Sequence, residues 1–128
     1  MQIQNYGRTW SFTPGAFAAP TTTSELRRVV ARATKVRVVG TRHSWSTGIV
    51  TDDTLISLDA MNRVLAVDTT ALRVTVQAGI KLKDLIAELE RRGLALANLG
   101  SIAEQSLAGA ISTGTHGSGL AFRCLADQ

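Results

Sequence analysis

Hydrophobic residues recur at the spacing of a helix face in two stretches, Leu26, Val29, Val30 and Ala33 and then Leu82, Leu85, Ile86 and Leu89. Residues three and four positions apart lie on one side of an α-helix. Thr22 and Glu25 have the spacing of a reciprocal capping box, which predicts the start of the first helix. Gly93 is suited to a C-cap and predicts the end of the second. The pattern therefore predicts two amphipathic helices.

Short apolar runs outside these helices predict strands. The run 36–39 predicts a buried strand, the polar stretch 40–48 a loop bounded by glycines, and the run 54–58 a second strand. Apolar residues at 64–67 and 72–76 flank a polar turn and predict a hairpin. The order helix, strand, strand, hairpin, helix predicts an α+β fold, a small mixed sheet with packed helices. A doubly wound sheet is the less favoured alternative.

The chain has 128 residues, a length typical of one domain. Glycine becomes frequent after residue 96, so we expect a first subdomain over about 1–95 and the start of a second over about 96–128. No strand pattern follows the glycine-rich stretch, which suggests a truncated domain. Uncovered apolar surface and sheet edges would then favour self-association or a partner chain.

The net charge of +4 suits an anionic partner, such as a phosphate-bearing cofactor or nucleic acid. Most clustered arginines belong to the predicted helices, however, as Arg27, Arg28 and Arg32 in the first and Arg91 and Arg92 at the end of the second. Aromatic residues are few and do not alternate with these charges, as a base-stacking surface would require. A nucleic-acid partner is therefore not expected.

Cysteine and histidine are scarce. The single cysteine, Cys124, leaves no internal disulfide, and His43 and His116 are too far apart to form a spacing motif, so no metal site is expected. The N-terminus lacks a basic start followed by an apolar segment, and no apolar run is long enough for a bilayer. These features lead us to expect a cytoplasmic location without membrane association.

The first candidate site is the segment from Val38 to Ser44, in which an apolar strand runs into glycine, threonine, arginine and histidine. Small residues allow successive backbone N–H groups to converge on an anion such as pyrophosphate. Arg42 could add positive charge or point to solvent. From this heptapeptide alone, a histidine in an ordinary surface loop is the favoured interpretation of His43.

The second candidate is glycine-rich and runs from Asn98 to Gly119. Ser101 and Glu104 have the spacing of another capping box, and the small residues after Ser106 would let a helix lie against a ligand. The segment therefore predicts a second phosphate- or ring-binding site, or alternatively a glycine-rich turn between packed elements. The sequence contains neither a Walker A motif nor a G-x-G-x-x-G turn after a strand.

Together, the two candidates resemble the vanillyl-alcohol-oxidase-type (PCMH-type) FAD-binding domains. The resemblance is strongest to the branch that contains alditol (xylitol, sorbitol) oxidases and sugar-lactone oxidases. It extends over nearly the whole chain and is carried by the segments Asn5–Gly7, Gly40–Ser46, Asn98–Ser101 and Ser112–Gly119. Two ordered motifs at this separation are more specific than either motif alone.

This resemblance implies that the chain binds FAD, with the first segment around the pyrophosphate and His43 bonded to the 8α carbon of the flavin. A neutral imidazole can make that bond, and the new substituent would raise the flavin's reduction potential. Ser101 would lie near the reactive face. The implied cofactor-binding residues are Val38, Val39, Gly40, Thr41, Arg42, His43, Ser44, Ser101, Ser106, Gly109, Ala110, Ile111, Ser112 and Thr113.

The implied activity is oxidation of a CH–OH group of a small sugar alcohol, with oxygen as the acceptor. Two alternatives stay open: an aldonolactone oxidase or dehydrogenase acting on a sugar lactone, and a non-catalytic flavin-binding remnant. In this family a separate substrate domain orients and deprotonates the substrate, and the 128 residues do not contain it. The sequence therefore identifies no catalytic residue, and it supports cofactor binding better than turnover.

Overall fold

The computed structural model describes residues 1–128, which form two compact units, Met1–Met61 and Asn62–Gln128. The first unit contains the strands β1 (Ile3–Gln4), β2 (Ser11–Phe12) and β3 (Ala16–Ala18), the helix α1 (Thr23–Arg32), and the strands β4 (Val36–Val39) and β5 (Thr54–Ser57). The second contains the strands β6 (Val64–Asp68) and β7 (Arg73–Val76), the helices α2 (Leu82–Glu90) and α3 (Leu107–Ser112), and a 3-10 turn at Leu125–Asp127. No helix is long and apolar enough to cross a membrane.

The predicted α+β fold is confirmed. Parallel and antiparallel pairing are both present, but they occur in three separate small sheets. β1 pairs antiparallel with β2, and β6 pairs antiparallel with β7. The remaining strands form a parallel sheet in the order β3-β5-β4, so α1 is the crossover between β3 and β4. The sequence does not predict β1, β2 or β3, because strands of two or three residues between glycines and prolines have no detectable period.

Helix α1 begins where the sequence predicts. The backbone N–H of Glu25 donates to Thr22 Oγ1 at 3.1 Å, which makes Thr22 the N-cap. The Glu25 carboxylate accepts from the backbone and hydroxyl of Thr21, at 2.8 and 2.9 Å. These hydrogen bonds lower the pKa of Glu25, with the backbone bond from Thr21 as the largest cause. In a capping box the glutamate accepts from the backbone N–H of the N-cap residue, here Thr22. The Glu25 carboxylate accepts from the N–H of Thr21, one residue earlier.

The strand at 36–39 is present, but the prediction that it is buried is wrong. Only Val39 is buried, and Val38 is 50% exposed. The reason is position, because β4 lies at one edge of the parallel sheet while β5 lies at its centre and is buried throughout. Leu55 of β5 packs with Ile3 and Val39 in the core of the first unit.

The second unit is built from the hairpin and α2, both of which are confirmed. Helix α2 buries Leu82, Leu85 and Leu89, as its periodicity predicts. Leu85 and Leu89 pack with Ile80 against apolar residues of the hairpin, whereas Leu82 packs with residues Ala110 and Leu125. The helix is followed by Gly93 at φ +68°, with the N–H of Leu94 donating to the Leu89 carbonyl at 3.0 Å.

The predicted capping box at Ser101 and Glu104 is wrong. Residues 101–105 are not helical, and the Glu104 carboxylate accepts from Lys83 Nζ at 2.8 Å instead of closing a helix start. The helix begins later, after Ser106, where the N–H of Leu107 donates to the Ile80 carbonyl at 2.8 Å. The two compact units divide after Met61, and the subdomain boundary expected near residue 95 stays a prediction.

Candidate functional site

The first candidate segment leaves the edge strand β4 and has no regular structure between residues 40 and 48. Val39 is buried and packs in the core with Ile3 and Leu55, so its side chain is not available to a ligand. Val38 is half-exposed, and Gly40 and Thr41 are partly buried at the start of the loop. The strand therefore anchors one end of the loop rigidly.

The backbone of this loop presents unused donors. Arg42 has a left-handed backbone, with φ +65°, and no acceptor within the chain pairs with the N–H groups of Arg42, His43 or Ser44. The side chain of Arg42 is exposed and forms no ion pair. Consecutive free N–H groups in such a turn, with a guanidinium beside them, match the donor set that a pyrophosphate requires.

His43 is partly buried and is held from two sides. Its Nδ1 lies 2.9 Å from Thr41 Oγ1, and its ring stacks on the ring of Tyr6 with centroids 4.6 Å apart and planes 28° from parallel. The N–H of Tyr6 also donates to the carbonyl of Arg42 at 2.8 Å. The imidazole is therefore restrained at one face by Tyr6 and at one edge by Thr41.

Two tryptophans add to the contact between the N-terminal segment and this loop. The indole Nε1 of Trp10 donates to the Trp45 carbonyl at 3.1 Å. The indole of Trp45 lies so close to Gly7 that a β-carbon there would come within 2.7 Å of it. The sequence alone indicates no site role for these aromatic residues, and the segment Asn5–Gly7 belongs only to the family resemblance. The one signal in the sequence that could have identified Tyr6 is its aromatic ring.

The second candidate segment lies in the second unit and is centred on α3. Ser106 is 5% exposed at the start of this helix, and Ala110 is 1% exposed because it packs in the core with Leu82. Ile111, Ser112 and Thr113 are exposed, whereas Gly109 is partly buried beside the Ser106 hydroxyl. Ser101 is exposed in the preceding loop, apart from the helix. The α3 residues thus share one element, and Ser101 does not belong to it.

Part of the glycine content in this segment has a structural cause. A β-carbon at Gly117 would lie 2.5 Å from the Leu99 carbonyl oxygen, and one at Gly100 would lie 3.1 Å from Thr115. These close approaches agree with the alternative of a glycine-rich turn between packed elements. The side-chain Oε1 of Gln105, just before α3, is buried and accepts no hydrogen bond from within the chain.

The structure thus brings Gly40 to Ser44 together in one loop of the first unit and residues 106–113 together around α3 in the second. No group of three or more histidine, cysteine, aspartate or glutamate residues could hold a metal ion. The first segment carries the clearer chemistry, namely free N–H donors, a guanidinium and a restrained imidazole.

Relatives of this chain include several enzymes whose names contain a sugar lactone. The L-gulonolactone oxidase of Mus musculus is 42% identical over 132 residues, which cover 100% of this chain and 30% of that protein. The L-gulono-1,4-lactone dehydrogenase of Mycobacterium tuberculosis (strain H37Rv) is 41% identical over 119 residues, which cover 90% of this chain and 28% of that protein. The chain therefore spans less than a third of the length of these relatives.

A solved structure has a fold similar to that of this chain. Cholesterol oxidase from B. sterolicum matches with a TM-score of 0.74 at 21% identity, over 91% of this chain and 24% of that chain. The family model described as FAD binding domain matches residues 14–126, which is most of the sequence. Because that match extends through both compact units, the chain belongs to the PCMH-type FAD-binding domain family.

Proposed function

We propose that this chain holds FAD in an oxidoreductase that oxidises a CH–OH group of a sugar lactone. Membership of the FAD-binding family supports the cofactor, and the names of the relatives support the lactone. The lactone alternative is therefore preferred over the sugar-alcohol substrate that the sequence analysis placed first. A polyol is the competing substrate.

The observation that carries the proposal is the loop from Gly40 to Ser44. Its free N–H groups at residues 42–44 can donate to pyrophosphate oxygens, and the Arg42 guanidinium adds a positive charge at the same turn. Gly40 and Thr41 connect this turn to the rigid end of β4. The loop can therefore bind and orient the diphosphate without moving the strand.

His43 is proposed as the residue that attaches the flavin. Its ring nitrogen would bond to the 8α carbon in place of one C–H bond of the flavin's 8-methyl group. The balanced change releases one proton from that carbon, one from the imidazole and two electrons, which dioxygen accepts to give hydrogen peroxide. The partly buried ring, restrained by Tyr6 and Thr41, suits a group that must be held beside one carbon atom.

When bound, FAD would supply the two-electron acceptor for the substrate hydride. The family resemblance also assigns cofactor contacts to residues of the second unit: Ser101, Ser106, Gly109, Ala110, Ile111, Ser112 and Thr113. Ala110 is buried in the core of the second unit, whereas Thr113 is exposed and donates its hydroxyl to the Gly109 carbonyl at 2.9 Å. Oxygen is the proposed final acceptor, and the dehydrogenase among the relatives makes that a point to test.

The experiment for attachment is His43→Ala, followed by flavin fluorescence of the denatured protein on a gel. We expect the fluorescent band to disappear, because no other residue occupies the attachment position of the motif. Non-covalent FAD binding should persist, because the N–H donors of the loop stay in place. His116→Ala is the matched control, since His116 is an exposed histidine in the second unit and should keep the band. A fluorescent band in His43→Ala would refute the covalent assignment.

A further inference from the structure

We propose that Tyr6 is a positioning residue for attachment of the flavin to His43. The inference rests on the proposed covalent link and adds a residue that lies far from His43 in the sequence. Tyr6 acts through the imidazole, against which its ring stacks at a centroid distance of 4.6 Å. It is the only aromatic ring in contact with that imidazole.

Core packing does not explain Tyr6. The residue is 74% exposed, and it belongs to none of the hydrophobic clusters of the first unit. Substitutions at such surface positions usually change the free energy of unfolding very little. A large effect of Tyr6 on attachment would therefore come from its contact with His43 rather than from loss of the fold.

The backbone fixes Tyr6 against the loop. The Tyr6 N–H donates to the Arg42 carbonyl at 2.8 Å, which holds the residue beside the peptide that precedes His43. One position further along, the close fit of Gly7 under the Trp45 indole keeps this segment in register. The phenol ring is thus held over one imidazole face by neighbours on both sides of the histidine.

The two restraints on His43 are complementary. Tyr6 covers a face and so limits rotation of the ring out of its plane, while the Thr41 hydroxyl contacts Nδ1 and limits rotation within it. Bond formation requires the nitrogen to be held close to the acceptor carbon, and a misplacement of about 1 Å can slow a reaction by about a hundredfold. Since Thr41 would still act when Tyr6 is removed, we expect an intermediate loss of about tenfold.

The experiment measures attachment on apo-protein from riboflavin-limited cells, mixed with FAD at several concentrations and sampled for acid-stable flavin. Tyr6→Ala should lower the saturating rate constant about tenfold while leaving the half-saturating FAD concentration unchanged. Tyr6→Phe should restore the rate, because stacking needs the ring and not the hydroxyl. Phe122→Ala, which removes an exposed ring from the second unit, should behave as the unsubstituted protein does.

A second measurement separates positioning from direct cofactor contact. In a His43→Ala background, Tyr6→Ala should leave the Kd for non-covalent FAD unchanged, because the side chain through which Tyr6 acts is gone. A weaker Kd there would overturn the positioning role, as would a Tyr6→Ala rate equal to that of the unsubstituted protein. If the unsubstituted protein itself attaches no flavin, the covalent proposal fails, and the role of Tyr6 fails with it.

Discussion

Arg42 combines two properties at one position. Its backbone is left-handed, at φ +65°, a conformation that costs a non-glycine residue about 1 kcal/mol or more. Its carbonyl accepts from Tyr6, so the unusual backbone also helps to attach the N-terminal segment to the loop. The side chain meanwhile carries a free positive charge. The geometry of the turn and the charge can therefore be tested separately by substitution.

We predict that Arg42→Gly and Arg42→Ala both weaken non-covalent FAD binding about two- to fivefold, the usual effect of an exposed ion pair. Arg42→Ala retains a non-glycine residue in the left-handed conformation, whereas Arg42→Gly does not. In thermal unfolding, Arg42→Gly should therefore be at least as stable as Arg42→Ala. FAD titration in a His43→Ala background, at low and high salt, measures the effect. The affinity of Arg42→Gly should depend less on salt. Unchanged affinity in both variants would mean that this guanidinium does not contact the phosphates.

The sequence located the loop and His43, because a glycine and a histidine directly after an apolar strand are visible locally. It could not predict the left-handed Arg42, since that conformation normally favours glycine and here depends on the surrounding contacts. Nor could it predict the stack of Tyr6 on His43, which joins distant parts of the chain through tertiary structure. The residues of the candidate loop are therefore visible in the local sequence, whereas the role of His43 came only from the family resemblance and stays a prediction, and the contacts that restrain its ring could not be predicted.

At the scale of elements, the strongest periodic patterns were the most reliable predictors. Helix α2 buries Leu82, Leu85 and Leu89 as its spacing requires, and the hairpin has the expected pairing. Burial of β4 was misjudged, because composition does not reveal whether a strand lies at the edge or the centre of a sheet. The box at Ser101 failed because Glu104 binds Lys83 instead. Tertiary contacts decided both cases.

Asp53 connects the starts of β4 and β5, and this contact should depend on pH. Its Oδ2 accepts from the Lys35 N–H at 2.6 Å and its Oδ1 from the Thr54 hydroxyl at 2.9 Å. These hydrogen bonds lower the pKa of Asp53 below its ordinary value of 3.8, and the bond from the Lys35 backbone is the largest cause. Because the pKa of Asp53 is lower in the folded state, its carboxylate stabilises the fold at pH values above its pKa in the unfolded state. That stabilisation is lost as pH falls through the folded value.

We therefore predict that acid destabilises Asp53→Asn less than it destabilises the unsubstituted protein. The amide oxygen can still accept from Lys35, but it does not titrate. Urea unfolding midpoints at neutral pH and at pH values below 3.8 provide the measurement. Asp59→Asn is the control, because no carboxylate hydrogen bond of Asp59 is present in the structure, and its acid sensitivity should be unchanged. An equal loss of midpoint in Asp53→Asn and the unsubstituted protein would contradict the role of this carboxylate.

On the scale of the whole molecule, cofactor binding and turnover have different requirements. Each unit has its own core, and each carries one of the candidate segments. Hydride transfer additionally needs a substrate carbon held near the flavin and a base beside its hydroxyl, an arrangement that can account for several kcal/mol of the barrier. The chain spans 30% of the length of the mouse relative, and none of its residues is assigned to bind the substrate.

We predict that the 128-residue chain, supplied with FAD, forms no peroxide above background with gulonolactone, xylitol or sorbitol. The reason is that the candidate segments are proposed to hold the cofactor, whereas no group that would orient or deprotonate a substrate is identified in the chain. The assay measures peroxide under air and, separately, bleaching of a dye acceptor without oxygen, so that oxidase and dehydrogenase turnover are distinguished. His43→Ala is the control for any signal. Steady turnover that His43→Ala abolishes would make the chain a minimal enzyme, and the favoured substrate would then decide between a lactone and a polyol.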